Sequence, residues 1–131
     1  MLIRPADLSD VPAMTDTLNW AIEHTDVIFD STPVTVAERE EHLRHIQELD
    51  CPFLVAETDA GEYLGWALYH PYRDPKVWVG CYDTTIYLEP AAQGRGVGTQ
   101  VMNALPTYVA MNYPHTKRLL LCVHQTNPAA I

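Results

Sequence analysis

A short apolar run from Leu2 to Pro5 predicts an opening strand. After it, Leu8, Val11, Met14, Leu18 and Ile22 recur at steps of three and four, the stripe of an amphipathic helix. Ser9 is placed to cap that helix, and Pro12 falls in its first turn, where a missing N–H does little harm. Thr35-Val36-Ala37-Glu38 reads as a capping box opening a second helix whose apolar line is Leu43, Ile46 and Leu49. From Pro52 the period shortens. Phe53–Glu57 and Tyr63–Tyr69 predict two strands around the hairpin signal Thr58-Asp59-Ala60-Gly61-Glu62. Cys81–Leu88 predicts another strand, with Tyr82, Thr84, Ile86 and Leu88 on one face and Asp83, Thr85 and Tyr87 on the other. A third helix is expected from about Gly96 to Asn112, burying Val97, Val101, Ala104, Leu105 and Tyr108 and kinked where Pro106 removes the bond to the Met102 carbonyl. A last strand is expected over Arg118–His124. The order β-α-α-β-β-β-α-β predicts an α/β layer architecture, and the 131 residues suit one domain, 1–131.

Composition narrows the function classes. Apolar residues make up 47% and charged residues 19%, the balance of a chain that folds around a core. The net charge is −9, which argues against general nucleic-acid binding, because counterion release requires a basic surface. The charge is uneven: residues 1–70 hold 3 bases and 14 acids, residues 71–131 hold 5 bases and 3 acids, and no acid follows Glu89. An anionic ligand is therefore favoured by the second half. The charged face of the second helix, Glu38, Glu40, Glu41 and Glu48 with Arg39 and Arg44, reads as solvated surface. No stretch is long and apolar enough to span a bilayer, and the amino terminus lacks the apolar core of a signal peptide. Three cysteines without a C-x-x-C pair suggest neither a disulfide framework nor a zinc knuckle, so a cytoplasmic setting is expected. His42 and His45 lie on neighbouring turns without a third ligand, and no metal is expected.

The chemistry concentrates in Gln93-Gly94-Arg95-Gly96-Val97-Gly98-Thr99, which joins a strand to a helix. Glycines at alternate positions let the backbone approach a ligand, and a helix start offers unpaired N–H groups at the positive end of its dipole; together they form a phosphate cradle. The nucleotide P-loop is excluded because no Lys is present, and the dinucleotide fingerprint because the glycine spacing is wrong and no acid follows.

The segment matches [QR]-x-x-G-x-[GA], and so resembles the pyrophosphate signature of the GCN5-related N-acetyltransferases (GNAT). Pro71-Tyr72-Arg73 with Trp78 and Asp83-Thr84-Thr85-Ile86-Tyr87-Leu88, Pro33-Val34-Thr35 with Glu38-Arg39, and Asn127-Pro128-Ala129-Ala130-Ile131 are similar to runs of its phosphinothricin acetyltransferase-like branch. The resemblance covers essentially the whole chain. It implies the GNAT fold, a mixed and mostly antiparallel sheet flanked by helices, here without the family's C-terminal helix and last two strands. It also implies acetyl transfer from acetyl-CoA to the primary amine of a small amino-acid-like acceptor, of the phosphinothricin or methionine sulfoximine or sulfone type. By the same resemblance Ile86, Tyr87 and Leu88 run along the pantetheine arm, Gln93, Gly94, Arg95, Gly96, Val97, Gly98 and Thr99 wrap the pyrophosphate, and Asn127 meets the cofactor again. Arg73 faces the acceptor's acidic group, for which a guanidinium fork is suited, and Asp74, Thr84 and Thr85 border the acceptor pocket.

Acetylation needs a neutral amine, and a lysine-type ammonium keeps its proton to about pH 10. Asp83 is the candidate base, working through water, at a position where the branch carries Glu. Backbone N–H groups of Ile86–Leu88 are candidates to polarise the thioester carbonyl. The family's thiolate-protonating tyrosine is expected on a helix after Asn127; Tyr108 and Tyr113 lie too early to serve and are read as packing or surface residues. A non-catalytic acyl-CoA-binding or regulatory module, and a piece of a longer enzyme, are the competing readings. An unpaired sheet edge, together with the resemblance, leads to the expectation of a homodimer.

Overall fold

The computed structural model describes residues 1–24, 33–71 and 81–121. Strand β1 (Leu2–Pro5) is followed by helices α1 (Val11–His24) and α2 (Val36–Glu48). Strands β2 (Phe53–Glu57), β3 (Tyr63–Pro71) and β4 (Cys81–Leu88), helix α3 (Val97–Asn112) and strand β5 (Arg118–Leu121) complete it. The strands lie in the order β1-β2-β3-β4-β5. The first four are antiparallel to their neighbours and β5 runs parallel to β4. This is the mixed, mostly antiparallel sheet that the family resemblance implies, within the α/β layer architecture that the sequence pattern predicts. Arg73 and Asp74, Asn127, and the Cys122–His124 end of the expected last strand lie outside the described residues.

The helices divide between the two faces. Helices α1 and α2 pack on each other, and α1 also lies over β3 and β4. Arg39 and His42 of α2 contact the Phe53 ring, and Thr17 of α1 shares a 2.8 Å hydrogen bond with Tyr63. Helix α3 covers the opposite face, where Val101 and Leu105 line an interior gap with Ile3, Ile86 and Leu88. The core therefore sits on both sides of the sheet, with Phe53, Val55 and Trp66 among its most buried side chains.

Four local expectations change. The first helix is not capped by Ser9: Asp7 accepts from the Ser9 N–H, and Asp10 accepts from the Asp7 N–H, which closes a capping box around a single 3₁₀ turn, Leu8–Asp10. Asp10 also takes two 2.8 Å hydrogen bonds from Arg4, which ties this turn to β1. Leu49 is not on the buried line of α2; it is the C-cap residue and exposed, leaving Leu43 and Ile46 to make the contact. In α3 the fully buried residue one turn beyond Leu105 is Val109, while Ala104 and Tyr108 are half-buried. The helix continues through Pro106, which is exposed together with Met102, so the unbonded Met102 carbonyl lies on the solvent side. Arg39, finally, is not part of the solvated charged face. It packs over Phe53 and Trp66.

Candidate active site

Strand β4 leads directly into the site. Along one edge it pairs with β3 through its whole length, from Pro71↔Tyr82 to Gly65↔Leu88. Along the other, the described residues of β5 run beside Cys81–Thr84, with Leu121, the last of them, opposite Thr84. The Glu89 N–H donates to the Leu64 carbonyl on the β3 side at 2.8 Å. Backbone groups alternate along a strand, so the Thr85 and Tyr87 amides also point to β3, and those of Ile86 and Leu88 point away from it. The Leu88 carbonyl agrees with this, since it accepts from Gln93 Nε2 at 3.2 Å. Gly65 lies so close to this stretch that a Cβ there would come 2.4 Å from the Tyr87 carbonyl oxygen.

The turn that follows begins with a 3₁₀ turn, Pro90–Ala92, and enters α3 through two left-handed glycines, Gly94 at φ 74° and Gly96 at φ 77°. A side chain at either would be strained, yet a Cβ would meet nothing within 4 Å, so the space before them is open. Gly96 caps α3 without a side-chain bond, and the first intrahelical bond runs from the Gln100 N–H to the Gly96 carbonyl. The N–H groups of Val97, Gly98 and Thr99 are therefore the unpaired donors of the helix start, and no acid occupies that first turn. Arg95 is exposed, donates to the Ala91 carbonyl at 3.2 Å, and makes no ion pair among the described residues. Gly98 is the close-packing position: its Cβ would lie 3.4 Å from Leu88 Cδ1. Open space, positive dipole, free amides and an absence of acid fit a diphosphate.

The side chains of β4 alternate as expected. Ile86 and Leu88 face α3. Thr84 is hydrogen-bonded with the buried Tyr69, its partner across the ladder, and does not share the face of Asp83. Tyr87 packs on Trp66 at 4.9 Å between ring centroids, on the α1–α2 side, and Thr85 and Asp83 follow on that face. Asp83 stands opposite His70, and its Oδ1 is buried with no hydrogen-bond partner among the described residues. No group of three or more potential metal ligands occurs among the described residues, and no described helix is long and apolar enough to cross a membrane.

Two residues of this face escape the sequence reading. Arg39 donates from Nη1 to His42 Nδ1 at 2.9 Å, and its guanidinium carbon lies 5.1 Å from the Trp66 ring centroid. Arg39 Nε and Nη2, and Trp66 Nε1, are buried without partners. The signal was present: Arg39, Leu43 and Ile46 sit at helical spacing on one stripe, which places an arginine on the apolar line of α2.

Comparison with known proteins joins these features. The Acetyltransferase (GNAT) family profile matches residues 15–131. The L-methionine sulfoximine/L-methionine sulfone acetyltransferase of Pseudomonas paraeruginosa strain PA7 is 33% identical over 103 residues, which cover 79% of this chain and 60% of that protein. The phosphinothricin N-acetyltransferase of Streptomyces coelicolor is 32% identical over 106 residues, covering 79% and 61%. Among solved structures, that of yncA from Salmonella typhimurium with its cofactor acetyl-CoA superposes with a TM-score of 0.87 at 27% identity, covering 99% of this chain and 73% of that one. The chain thus spans about 60% of the length of the curated relatives it matches. By profile, identity and fold alike, the chain belongs to the Acetyltransferase (GNAT) family.

Proposed function

We propose that this chain carries the acetyl-CoA site and part of the acceptor site of an N-acetyltransferase whose substrate is the primary amine of a small amino-acid-like molecule, of the phosphinothricin or methionine sulfoximine or sulfone type. The observation that carries the reading is the open turn at Gly94 and Gly96, which leads from β4 to the unpaired Val97, Gly98 and Thr99 amides at the start of α3. Relatives named for these acceptors and a neighbour solved with acetyl-CoA support it.

Acetyl-CoA supplies the activated acetyl group as a thioester. On this reading the amides of Val97, Gly98 and Thr99 hold its diphosphate, and Arg95 adds a positive charge at the rim. The Ile86 and Leu88 N–H groups bind the pantetheine arm and steady the thioester carbonyl as negative charge gathers on its oxygen. The ammonium of a free amino acid keeps its proton at neutral pH, so the acceptor must be deprotonated in place. Asp83 takes that proton through a water, using the carboxylate oxygen that no described neighbour engages. Thr85 lies beside it on the same face. Arg73, Asp74 and Asn127 keep the roles that the family resemblance gives them, and Tyr87 serves the site through its packing on Trp66.

The finer expectations of one domain over 1–131, a homodimer and a cytoplasmic location belong to the same proposal; sedimentation at micromolar concentration tests the dimer. The activity itself is tested by incubating the protein with acetyl-CoA and a panel of amines while following free thiol. Amine-dependent thiol release, greatest with methionine sulfone, sulfoximine or phosphinothricin, is expected. Binding of acetyl-CoA without such release would favour a non-catalytic acyl-CoA module.

A further inference from the structure

The ladder between β3 and β4 sets His70 directly opposite Asp83. Opposed residues of an antiparallel pair project from the same face, with their Cβ atoms about 4.5–5.5 Å apart. Trp66 and Tyr87, opposed in the same ladder, show this by packing at 4.9 Å between ring centroids. His70 is also close enough to His42 of α2 for the two rings to act on each other electrostatically, which places it on the α1–α2 side with Asp83.

The two members of the pair differ in access and in chemistry. Asp83 is half-buried, and its Oδ1 is closed to solvent. His70 is exposed. Its Nδ1 lies 3.0 Å from the Pro71 carbonyl oxygen, which can only accept, so Nδ1 carries the hydrogen of the neutral ring and Nε2 the lone pair. No described residue bonds Nε2. Of the groups facing the ring from α2, His42 is neutral, because burial and then Arg39 push its pKa down to about 4. Arg39 itself is turned onto His42 Nδ1 and the Trp66 ring. The charge that meets His70 across the ladder is therefore the carboxylate of Asp83.

A base that removes one proton per acetyl group transferred must shed it before the next turnover. An imidazole ordinarily holds a proton more firmly than a carboxylate does, and an exposed ring can pass it to water. We propose that His70 relays the acceptor's proton: Asp83 draws it from the ammonium through water, the carboxylic acid so formed hands it to Nε2 of His70, and the imidazolium releases it to bulk water. The N–H bond that breaks leaves its electron pair on the amine nitrogen, the nucleophile, and Asp83 and His70 both return to their starting charge. This deepens the acetyl-transfer reading and rests on it. His70 acts through Asp83 and does not touch the acceptor.

The test is thiol release from acetyl-CoA with L-methionine sulfone as acceptor, in the full chain and in His70→Ala and His70→Asn. Both variants are expected to lose about tenfold or more in kcat, with KM for the amine and acetyl-CoA affinity within about twofold. Asparagine keeps a donor for the Pro71 carbonyl but cannot take up a proton, so it separates the relay from a merely structural bond. Free imidazole in the buffer restores turnover to His70→Ala several-fold and leaves the unmodified protein unchanged. The unmodified kcat falls on the acid side as the ring becomes protonated, and both variants lack that limb. Undiminished kcat in either variant, or no rescue by imidazole, overturns the relay. Absence of amine-dependent thiol release from the unmodified protein instead overturns the acetyl-transfer reading. The ¹⁵N spectrum of the ring reports on His70 even then, since a neutral ring with its hydrogen on Nε2 rules out the relay by itself.

Discussion

Gly96 and Gly61 provide a matched pair for the phosphate cradle. Both are exposed, both are left-handed, at φ 77° and 85°, and at neither would a Cβ meet any atom within 4 Å. Replacing either with alanine therefore costs the same kind of strain, about 1–2 kcal/mol for an L-residue held in this region. For a chain of this length that lowers Tm by about 4–8 °C in each variant. Only Gly96 faces the proposed diphosphate. Its added methyl takes space that a phosphate oxygen needs and displaces at least one charge-assisted N–H contact, worth about 1.5–3 kcal/mol. Acetyl-CoA affinity should then fall by about 10- to 150-fold in Gly96→Ala and by less than about twofold in Gly61→Ala. Thermal melts and calorimetric titration of the two variants decide it. Equal loss in both variants, or retention within twofold in Gly96→Ala, would refute the assignment of this turn to the cofactor.

Three further outcomes follow from the same geometry. Gly65→Ala drives a Cβ to 2.4 Å from the Tyr87 carbonyl oxygen and should destabilise the fold by about 1–3 kcal/mol, the range of an overpacked core, read by urea unfolding. His42, whose pKa burial and then Arg39, His70 and His45 push down to about 4, stays neutral in the fold while the unfolded chain protonates near 6.5. Stability is therefore complete above pH 6.5 and declines as pH falls toward 4; half-exposure of the ring screens the effect to about 1 kcal/mol, and His42→Asn should flatten that slope in chemical denaturation between these pH values. Asp83→Asn should lower amine-dependent turnover and leave acetyl-CoA affinity within about twofold; unchanged turnover removes Asp83 from the role of base.

The sheet and helices were legible because burial is periodic: the alternation Tyr82, Thr84, Ile86, Leu88 against Asp83, Thr85, Tyr87 reads directly as two faces. The glycine turn was legible because Gly94 and Gly96 adopt a conformation few other residues tolerate. Which amides of β4 point away from β3 was not legible, since that depends on the hydrogen-bonding register of the β3–β4 ladder. The cap at Asp7 was obscured by a second polar residue, Ser9, two positions on, and only the closing bond from Asp10 distinguishes them. Arg39 was misassigned because charge outweighed position: a guanidinium normally seeks solvent, but its stem and plane pack well on Phe53 and Trp66.

The most direct measurement of the cofactor assignment is a titration of the ¹⁵N-labelled protein with acetyl-CoA, followed amide by amide. The predicted result is large shifts at Ile86, Leu88, Gly94, Gly96, Val97, Gly98 and Thr99, and small ones at Thr85 and Tyr87, whose N–H groups are held in the ladder with β3. Shifts absent from the helix start, or spread evenly along β4 without regard to the direction of each amide, would contradict it.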